Sequence, residues 1–136
     1  MNIVVEKVVD YIETHLDDEL TLDKIADALN YSKFYVARAF NEETGSTVYK
    51  YIQGCRLTMA AHALVKTDQP IIEIAYEAHY DSQQAFTLAF KQAYECTPKT
   101  YRKNGVFYPK QTRICTPGLA NAYSFLSCLK GGRMAA

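Results

Sequence analysis

Glycine and proline are scarce in this chain of 136 residues, which contains six Gly and four Pro. So few turn-forming residues argue against a linker-rich or collagen-like chain, and against a β protein with many turns. Long apolar runs are missing too, since no stretch reaches the ~18 consecutive apolar residues that a membrane-spanning helix needs. The sequence therefore indicates one medium-sized domain or two small lobes, with no membrane partner.

The four cysteines, at positions 55, 96, 115 and 128, form no C-x-x-C pair and have no histidine at metal-ligand spacing. A structural zinc site usually takes its ligands from two short-spaced pairs, so we expect no bound metal. The first residues also lack the basic patch and apolar run of a secretory signal. We therefore expect a cytoplasmic protein with reduced thiols and no cofactor.

The formal net charge is zero, but the charges are unevenly placed. Residues 1–98 carry 8 Lys and Arg against 15 Asp and Glu, whereas residues 99–136 carry 7 Lys and Arg and no acid. Eight of the acids lie between Glu6 and Asp27. Total charge thus argues neither for nor against a nucleic-acid partner, and the location of the charges has to decide.

Apolar residues recur at helical spacing through the first hundred positions, and no run alternates as a strand would. The polar residues Thr21, Ser32 and Thr47 precede such runs and predict helix N-caps, with helices over about 22–29, 33–43 and 48–66. Asn30 tolerates a left-handed backbone and predicts the corner before the helix of 33–43. Thr97-Pro98 predicts a last short helix to about residue 103.

The second part of the chain repeats the first. Residues 25, 26 and 31 recur 49 positions later, and residues 32, 39 and 40 recur 50 positions later, as Ile74, Ala75, Tyr80, Ser82, Ala89 and Phe90. Each copy predicts a helix-turn-helix. The helix of 48–66 between them spans roughly 28 Å, near the ~34 Å between successive major-groove faces of DNA. One chain can thus present two helices to adjacent grooves.

Residues 20–45, 51–64 and 70–102 together resemble the DNA-binding domain of the AraC/XylS family of bacterial transcription regulators. The resemblance covers roughly residues 3–104. Tyr31-Ser32-Lys33-Phe34 and Asp81-Ser82-Gln83-Gln84 are most similar to the MarA/Rob branch. The combined spacing is specific, because it fixes two helix-turn-helix copies and the helix between them.

The resemblance implies an all-α, seven-helix double helix-turn-helix, with two homeodomain-like lobes joined by a long linker helix. The domain then covers residues 1–104, with one lobe at about 1–47, the linker helix at 48–66 and the other lobe at about 68–104. It also implies a transcription regulator that binds double-stranded DNA as a monomer and contacts RNA polymerase as an activator. No catalytic role follows, so the chain is not expected to be an enzyme.

Helix phase selects the residues that face DNA. In the helix of 33–43, Val36, Ala39 and Phe40 are predicted to be core; in the later copy, Phe86, Ala89 and Phe90 are. The base-reading residues are then those on the opposite faces: Phe34, Ala37, Arg38, Gln83, Gln84, Thr87 and Leu88. An arginine fork matches guanine O6 and N7, either glutamine matches adenine N6 and N7, and Phe34 and Thr87 suit thymine methyl groups.

Phosphate contacts are expected from polar and basic residues at the helix N-termini and along the chain. The predicted set is Ser32, Lys33, Asn41, Lys50, Ser82, Lys91, Lys99, Arg102 and Lys103. Such contacts fix the register of a protein on DNA without reading its sequence.

The chain departs from the MarA-like pattern at several of these positions. Phe34 stands where that branch has Trp, and Ala37 and Leu88 replace a Gln and an Arg that read bases. His79 occupies a corner usually held by Gly, at some conformational cost. The second copy has therefore lost its guanine reader, and the operator sequence is not predicted.

Two alternatives remain open at this point. Arg38 can instead pair with Glu42 one turn on, which is worth only ~0.3–0.5 kcal/mol. The chain as a whole can be a helical protein–protein interaction module that does not bind DNA, with the acidic 6–27 face as its contact. Residues 105–136 form a basic tail that is predicted to be a linker or a docking helix, with an apolar stripe over 119–129.

Overall fold

The computed structural model describes residues 2–111, which contain seven helices and no strand. In chain order they are α1 (Ile3–Thr14), α2 (Leu22–Leu29), α3 (Lys33–Thr44), α4 (Val48–Lys66), α5 (Ile71–Glu77), α6 (Gln83–Tyr94) and α7 (Pro98–Asn104). The expected all-α fold is confirmed. Within 2–111, none of these helices has the length and apolarity to cross a bilayer.

The chain forms two compact units, and the boundary falls inside α4, between Ile52 and Gln53. Within the described residues, unit 1 is 2–52 and unit 2 is 53–111. The first turn of α4 belongs to unit 1 because Tyr51 is fully buried and its ring packs against Phe40, with centroids 5.8 Å apart. The predicted linker helix thus contributes core residues to both units.

Unit 1 is built around the apolar face of α1. Its fully buried side chains come from α1, α2, α3 and the start of α4, and include Val5, Val8, Val9, Ile12, Ile25, Val36, Phe40 and Tyr51. Each helix start is fixed locally: the Thr21 hydroxyl accepts the N–H of Lys24 at 3.1 Å, and the Ser32 hydroxyl accepts the N–H of Tyr35 at 3.1 Å. The predicted caps are confirmed.

The corner between α2 and α3 turns on Asn30, whose φ is +63°. Its left-handed backbone lets the N–H of Tyr31 bond the carbonyl of Ala26 at 2.9 Å and end α2. The matching corner of unit 2 turns on His79, with φ +69°, and Tyr80 bonds Ala75 in the same way at 3.1 Å. The sequence repeat is therefore a structural repeat.

Unit 2 has an aromatic core. Phe86 and Phe90 of α6 are fully buried, and Phe90 stacks on Tyr94 with centroids 4.6 Å apart. Tyr101 of α7 meets Phe90 edge-on at 5.3 Å. Ser82 caps α6 as Ser32 caps α3, and Thr97 caps α7 as predicted, through bonds to the N–H groups of residues 85 and 100.

Residues 105–111, the first part of the predicted tail, are packed into unit 2. The fully buried hydroxyl of Thr58 accepts the N–H groups of Lys110 at 3.1 Å and Gln111 at 2.9 Å. The carbonyl of Tyr108 accepts the hydroxyl of Tyr94 at 3.1 Å. The folded part of the chain thus extends beyond residue 104, and the apolar stripe at 119–129 lies outside the described residues.

Candidate nucleic-acid interface

The outer face of α3 carries the predicted readers of unit 1. Phe34 is 72% exposed, Arg38 and Asn41 are exposed, and Ala37 is half-buried. The inner face of the same helix carries the buried residues Val36, Ala39 and Phe40. The predicted helix phase is confirmed, so the candidate DNA-facing side chains share one surface of unit 1.

Arg38 makes no ion pair with Glu42 within the described residues. The guanidinium is exposed, and no neighbouring carboxylate orients it. Lys33 at the start of α3 is held instead, since its Nζ lies 3.3 Å from Asp23 and 5.6 Å from the ring centroid of Phe34. Both groups of that ion pair are largely exposed, so it is weak and can open when a phosphate approaches.

The outer face of α6 is the corresponding surface of unit 2. Gln83, Gln84 and Lys91 are exposed, Leu88 is 61% exposed, and Thr87 is half-buried. These five residues line an open hollow of about 510 Å³. No acidic residue lies within α6, so a phosphate backbone that approaches this helix meets no repulsion from it.

The caps of α3 and α6 suit phosphate binding in a specific way. Ser32 and Ser82 each accept one backbone N–H, at 3.1 Å. A hydroxyl that accepts such a bond keeps its own O–H for donation. Each serine can therefore cap its helix and donate to a phosphate oxygen, at the positive end of the helix dipole.

The other predicted phosphate contacts differ in how free they are. Lys50, Lys99 and Lys103 are exposed. The amide Nδ2 of Asn41 donates to the carbonyl of Ser46 at 3.3 Å, which uses one of its two hydrogens. Arg102 is half-buried, and its guanidinium donates to backbone carbonyls of its own unit, so its position differs from that of the exposed lysines.

A cavity of about 670 Å³ lies beside the readers of unit 1, and sequence reasoning missed it. We name it the α3–α4 trough; its lining is Leu20, Thr21, Leu22, Phe34, Ala37, Arg38, Asn41, Thr47, Val48, Tyr49 and Ile52. Tyr49, which is 70% exposed, was not among the predicted site residues. Its neighbours Val48 and Ile52 are buried, so the side chain of Tyr49 faces outward. The Thr47 cap fixes where α4 begins, and this orientation could have been predicted from it.

Within residues 2–111, no group of three or more His, Cys, Asp and Glu side chains is arranged to hold a metal ion. The two cysteines of that range, Cys55 and Cys96, form no disulfide within the described residues. The predicted contact residues on the two outer faces carry amides, hydroxyls, one guanidinium and ammonium groups, all of which can donate to bases or phosphates.

A family model described as "Helix-turn-helix domain" matches residues 25–104. The Tn10 transposon protein TetD of Escherichia coli is 44% identical over 101 residues, which are 74% of this chain and 73% of TetD. The transcriptional regulator Rob of Salmonella typhimurium is 43% identical over 94 residues, which are 69% of this chain but only 32% of Rob.

Among solved structures, the C-terminal domain of AraT, a response regulator from Geobacillus stearothermophilus, superimposes with a TM-score of 0.72 at 32% identity. The match covers 85% of this chain and 95% of that domain. The residues that the family model matches include most of α2 and all of α3 to α7.

Proposed function

Because the chain belongs to the AraC/XylS family of helix-turn-helix transcription regulators, within its MarA/Rob branch, we propose that it regulates transcription by binding a specific sequence of double-stranded DNA. The observation that carries the proposal is the pair of outer faces on α3 and α6. Each is the second helix of a helix-turn-helix, begins at a serine cap, and exposes residues suited to bases.

The two units recognise bases with different functional groups. In unit 1, Arg38 reads a guanine through O6 and N7. In unit 2, Gln83 or Gln84 reads an adenine through N6 and N7, and the exposed methyl groups of Leu88 lie against a thymine. Because α6 carries no arginine, unit 2 favours A·T pairs, and Ala37, half-buried in α3, provides only close apolar contact.

Backbone contacts position both helices on the duplex. Five lysines carry them in this proposal, together with the two serine caps and Asn41: Lys33, Lys50, Lys91, Lys99 and Lys103. We leave Arg102 out of this set because its guanidinium is already bonded within unit 2. We further propose that α3 and α6 enter successive major grooves, in the manner that the family resemblance implies.

The proposal also covers the location of the chain in the cell, its oligomeric state on DNA and its contact with RNA polymerase. The chain acts in the cytoplasm, binds DNA as a monomer, and activates transcription through a contact with RNA polymerase. In this proposal the chain acts by binding alone and catalyses no reaction, so it is not an enzyme and needs no cofactor. The activity and partners of a longer regulator such as Rob, of which this chain spans 32%, are carried over only as part of this proposal.

Selection of bound duplexes from a random pool, followed by sequencing, tests the proposal directly. We expect an enriched site with a guanine in one part and A·T pairs in the other. A salt titration on the selected duplex should give a slope of log affinity against log salt near −4.5, because five lysines neutralise about five phosphates. A duplex of scrambled sequence is the matched DNA control.

Lys24→Ala provides the protein control, because Lys24 is exposed and paired with Glu19, outside the proposed contact set. It should leave the slope unchanged, whereas Lys50→Ala should reduce its magnitude by about 0.9. If no duplex is enriched and binding to any DNA is independent of salt, the proposal is wrong and the interaction-module alternative is favoured.

A further inference from the structure

The α3–α4 trough of unit 1 has an aliphatic interior and an aromatic edge. Val48 and Ile52, the buried part of its lining, are both 5% exposed. Phe34 and Tyr49, from α3 and α4, are the most exposed apolar side chains of the lining, at 72% and 70%. Two large aromatic side chains left in solvent around one cavity are unusual on a folded protein and mark a binding surface.

The side chain of Tyr49 faces solvent because its neighbours in α4 form part of the core of unit 1. Val48, Tyr51 and Ile52 are buried in the core of unit 1, which turns the side chain at position 49 away from that core. A ring that contributes little to the core can be altered with little loss of stability. Its large apolar area is therefore available for contact with a ligand.

The trough and the readers of α3 are one surface. Ala37, Arg38 and Asn41, three residues of the α3 face, line the same cavity as Tyr49. Whatever part of a duplex lies against Arg38 therefore also lies near the two rings. This places Tyr49 within reach of the same base pairs, although it belongs to a different helix.

The chemistry of the lining selects which part of the DNA enters. The apolar part of the lining, formed by Phe34, Val48, Tyr49 and Ile52, penalises a phosphate or an amide edge, because such a group loses water there without gaining a partner. The major groove offers one strongly apolar group, the 5-methyl of thymine. Phe34, Tyr49 and the aliphatic interior match that group, while the Arg38 guanidinium matches a neighbouring guanine.

We propose that Tyr49 is a further specificity-determining residue of unit 1, whose ring lines the α3–α4 trough with Phe34 and receives thymine methyl groups next to the guanine read by Arg38. This inference rests on the proposed function and deepens it. It gives the thymine contact expected of Phe34 a second ring, from Tyr49, and it adds α4 to the elements that read bases.

Substitution of single thymines by deoxyuridine in the selected duplex tests this inference, because it removes the methyl group and keeps the hydrogen bonds. With the wild-type chain, uridine at one or two positions beside the guanine should weaken binding roughly fourfold, the worth of about one buried methyl group. With Tyr49→Ala, the thymine and uridine duplexes should bind nearly equally. Tyr49→Phe keeps the ring and should keep the discrimination.

Tyr76→Ala is the matched control, because Tyr76 of α5 is 55% exposed and lies in unit 2. It should leave the thymine preference of the unit 1 half-site intact. Equal binding of thymine and uridine duplexes by the wild type overturns the inference, and so does a discrimination that survives Tyr49→Ala. Loss of discrimination in Tyr49→Phe also overturns it, because the contact would then be polar.

The two failures are distinguishable. If the wild-type chain selects no duplex, the proposed function fails and this inference falls with it. If the wild type selects a duplex that contains a guanine but shows no methyl dependence beside it, DNA recognition stands and only the role of Tyr49 is refuted. Circular dichroism melts of both Tyr49 variants establish that each binding measurement is made on folded protein.

Discussion

Arg102 of α7 donates a hydrogen bond of 2.9 Å from its Nε to the carbonyl of Leu64, in the last turn of α4. Its Nη2 also donates to the carbonyl of Gln69, at 2.6 Å. The carbonyls at the end of a helix have no partner within that helix. One guanidinium therefore donates to a carbonyl at the end of α4 and to a carbonyl of the loop before α5, and so connects α7 to both.

Arg102→Ala should lower the free energy of unfolding by about 2 kcal/mol, because it removes charge-assisted bonds from two backbone carbonyls. Arg102→Lys should recover only part of that loss, since an ammonium group lacks the fork geometry. Urea unfolding followed by circular dichroism measures both values.

Lys103→Ala is the matched control, because Lys103 is the exposed neighbour. It should leave stability unchanged and reduce the magnitude of the salt slope of DNA binding by about 0.9. Arg102→Ala should leave that slope unchanged. A reduced slope in the Arg102 variant would restore Arg102 to the phosphate contacts predicted from sequence.

The local structure of this chain was predictable because it is set by residues close in sequence. Thr21, Ser32 and Thr97 cap helices through bonds to N–H groups three residues ahead, and Asn30 adopts the left-handed corner expected of it. The phase of α3 follows from the same short spacing. These signals act within one or two turns, so composition and order suffice to find them.

The features that were missed depend on residues distant in sequence. The bond from Arg102 to Leu64 joins positions 38 apart, and the bonds from residues 110 and 111 to Thr58 join positions 52 and 53 apart. No local sequence pattern distinguishes an arginine that donates to the carbonyls at a helix end from one that contacts a DNA phosphate. The trough was missed for the same reason, because Phe34 and Tyr49 come to line one cavity only in the folded chain.

Thr58→Val should release the segment of residues 105–111, because it leaves the N–H groups of Lys110 and Gln111 without their buried acceptor. Two such groups cost about 1–3 kcal/mol each if they stay buried, so separation of the segment from α4 is the easier outcome. Hydrogen exchange at residues 108–111 should become faster than in the wild-type chain, whereas exchange in the core of α6 should not change. Thr67→Val, at an exposed threonine, should not change exchange in that segment.

Arg38→Ala should weaken binding to the selected duplex by about 1–3 kcal/mol and make the chain indifferent to the base at one position. The reason is the loss of the only guanidinium on the outer face of α3. Fluorescence anisotropy on duplexes that carry each base at that position measures both effects. Glu42→Gln, one turn along the same helix, is the control; base preference should not change. If Arg38→Ala weakens all four duplexes equally, the arginine contacts phosphate and not a base.

His79→Gly should stabilise unit 2 by about 0.5–1 kcal/mol. The φ of +69° is costly for a residue with a Cβ and free of that cost for glycine, although glycine also gains entropy in the unfolded chain. Asn30→Gly makes the same change at φ +63°, where asparagine is already tolerated, and should change stability much less. Thermal unfolding of the two variants compares them; equal shifts would show that histidine carries no strain at this corner.

The buried tyrosines of unit 2 make its stability fall at alkaline pH. Burial raises the pKa of Tyr94 well above its ordinary value of 10, and it raises the pKa of Tyr101 in the same direction. A group whose pKa is higher in the folded state stabilises the fold fully below its unfolded pKa, and this contribution is lost as pH rises beyond that value. The loss should therefore begin near pH 10.

Between pH 8 and pH 10.5, the wild type should lose about 1 kcal/mol more than Tyr94→Phe, since the unfolded tyrosine ionises and the buried one does not. Urea unfolding at the two pH values provides the comparison. Tyr94→Phe also removes the bond to the carbonyl of Tyr108, so only the change with pH is diagnostic, not the stability at pH 8. Tyr49→Phe, at an exposed tyrosine, should lose as much as the wild type. An equal pH dependence in Tyr94→Phe and the wild type would mean that the Tyr94 hydroxyl is hydrated and not sealed beneath residues 105–111.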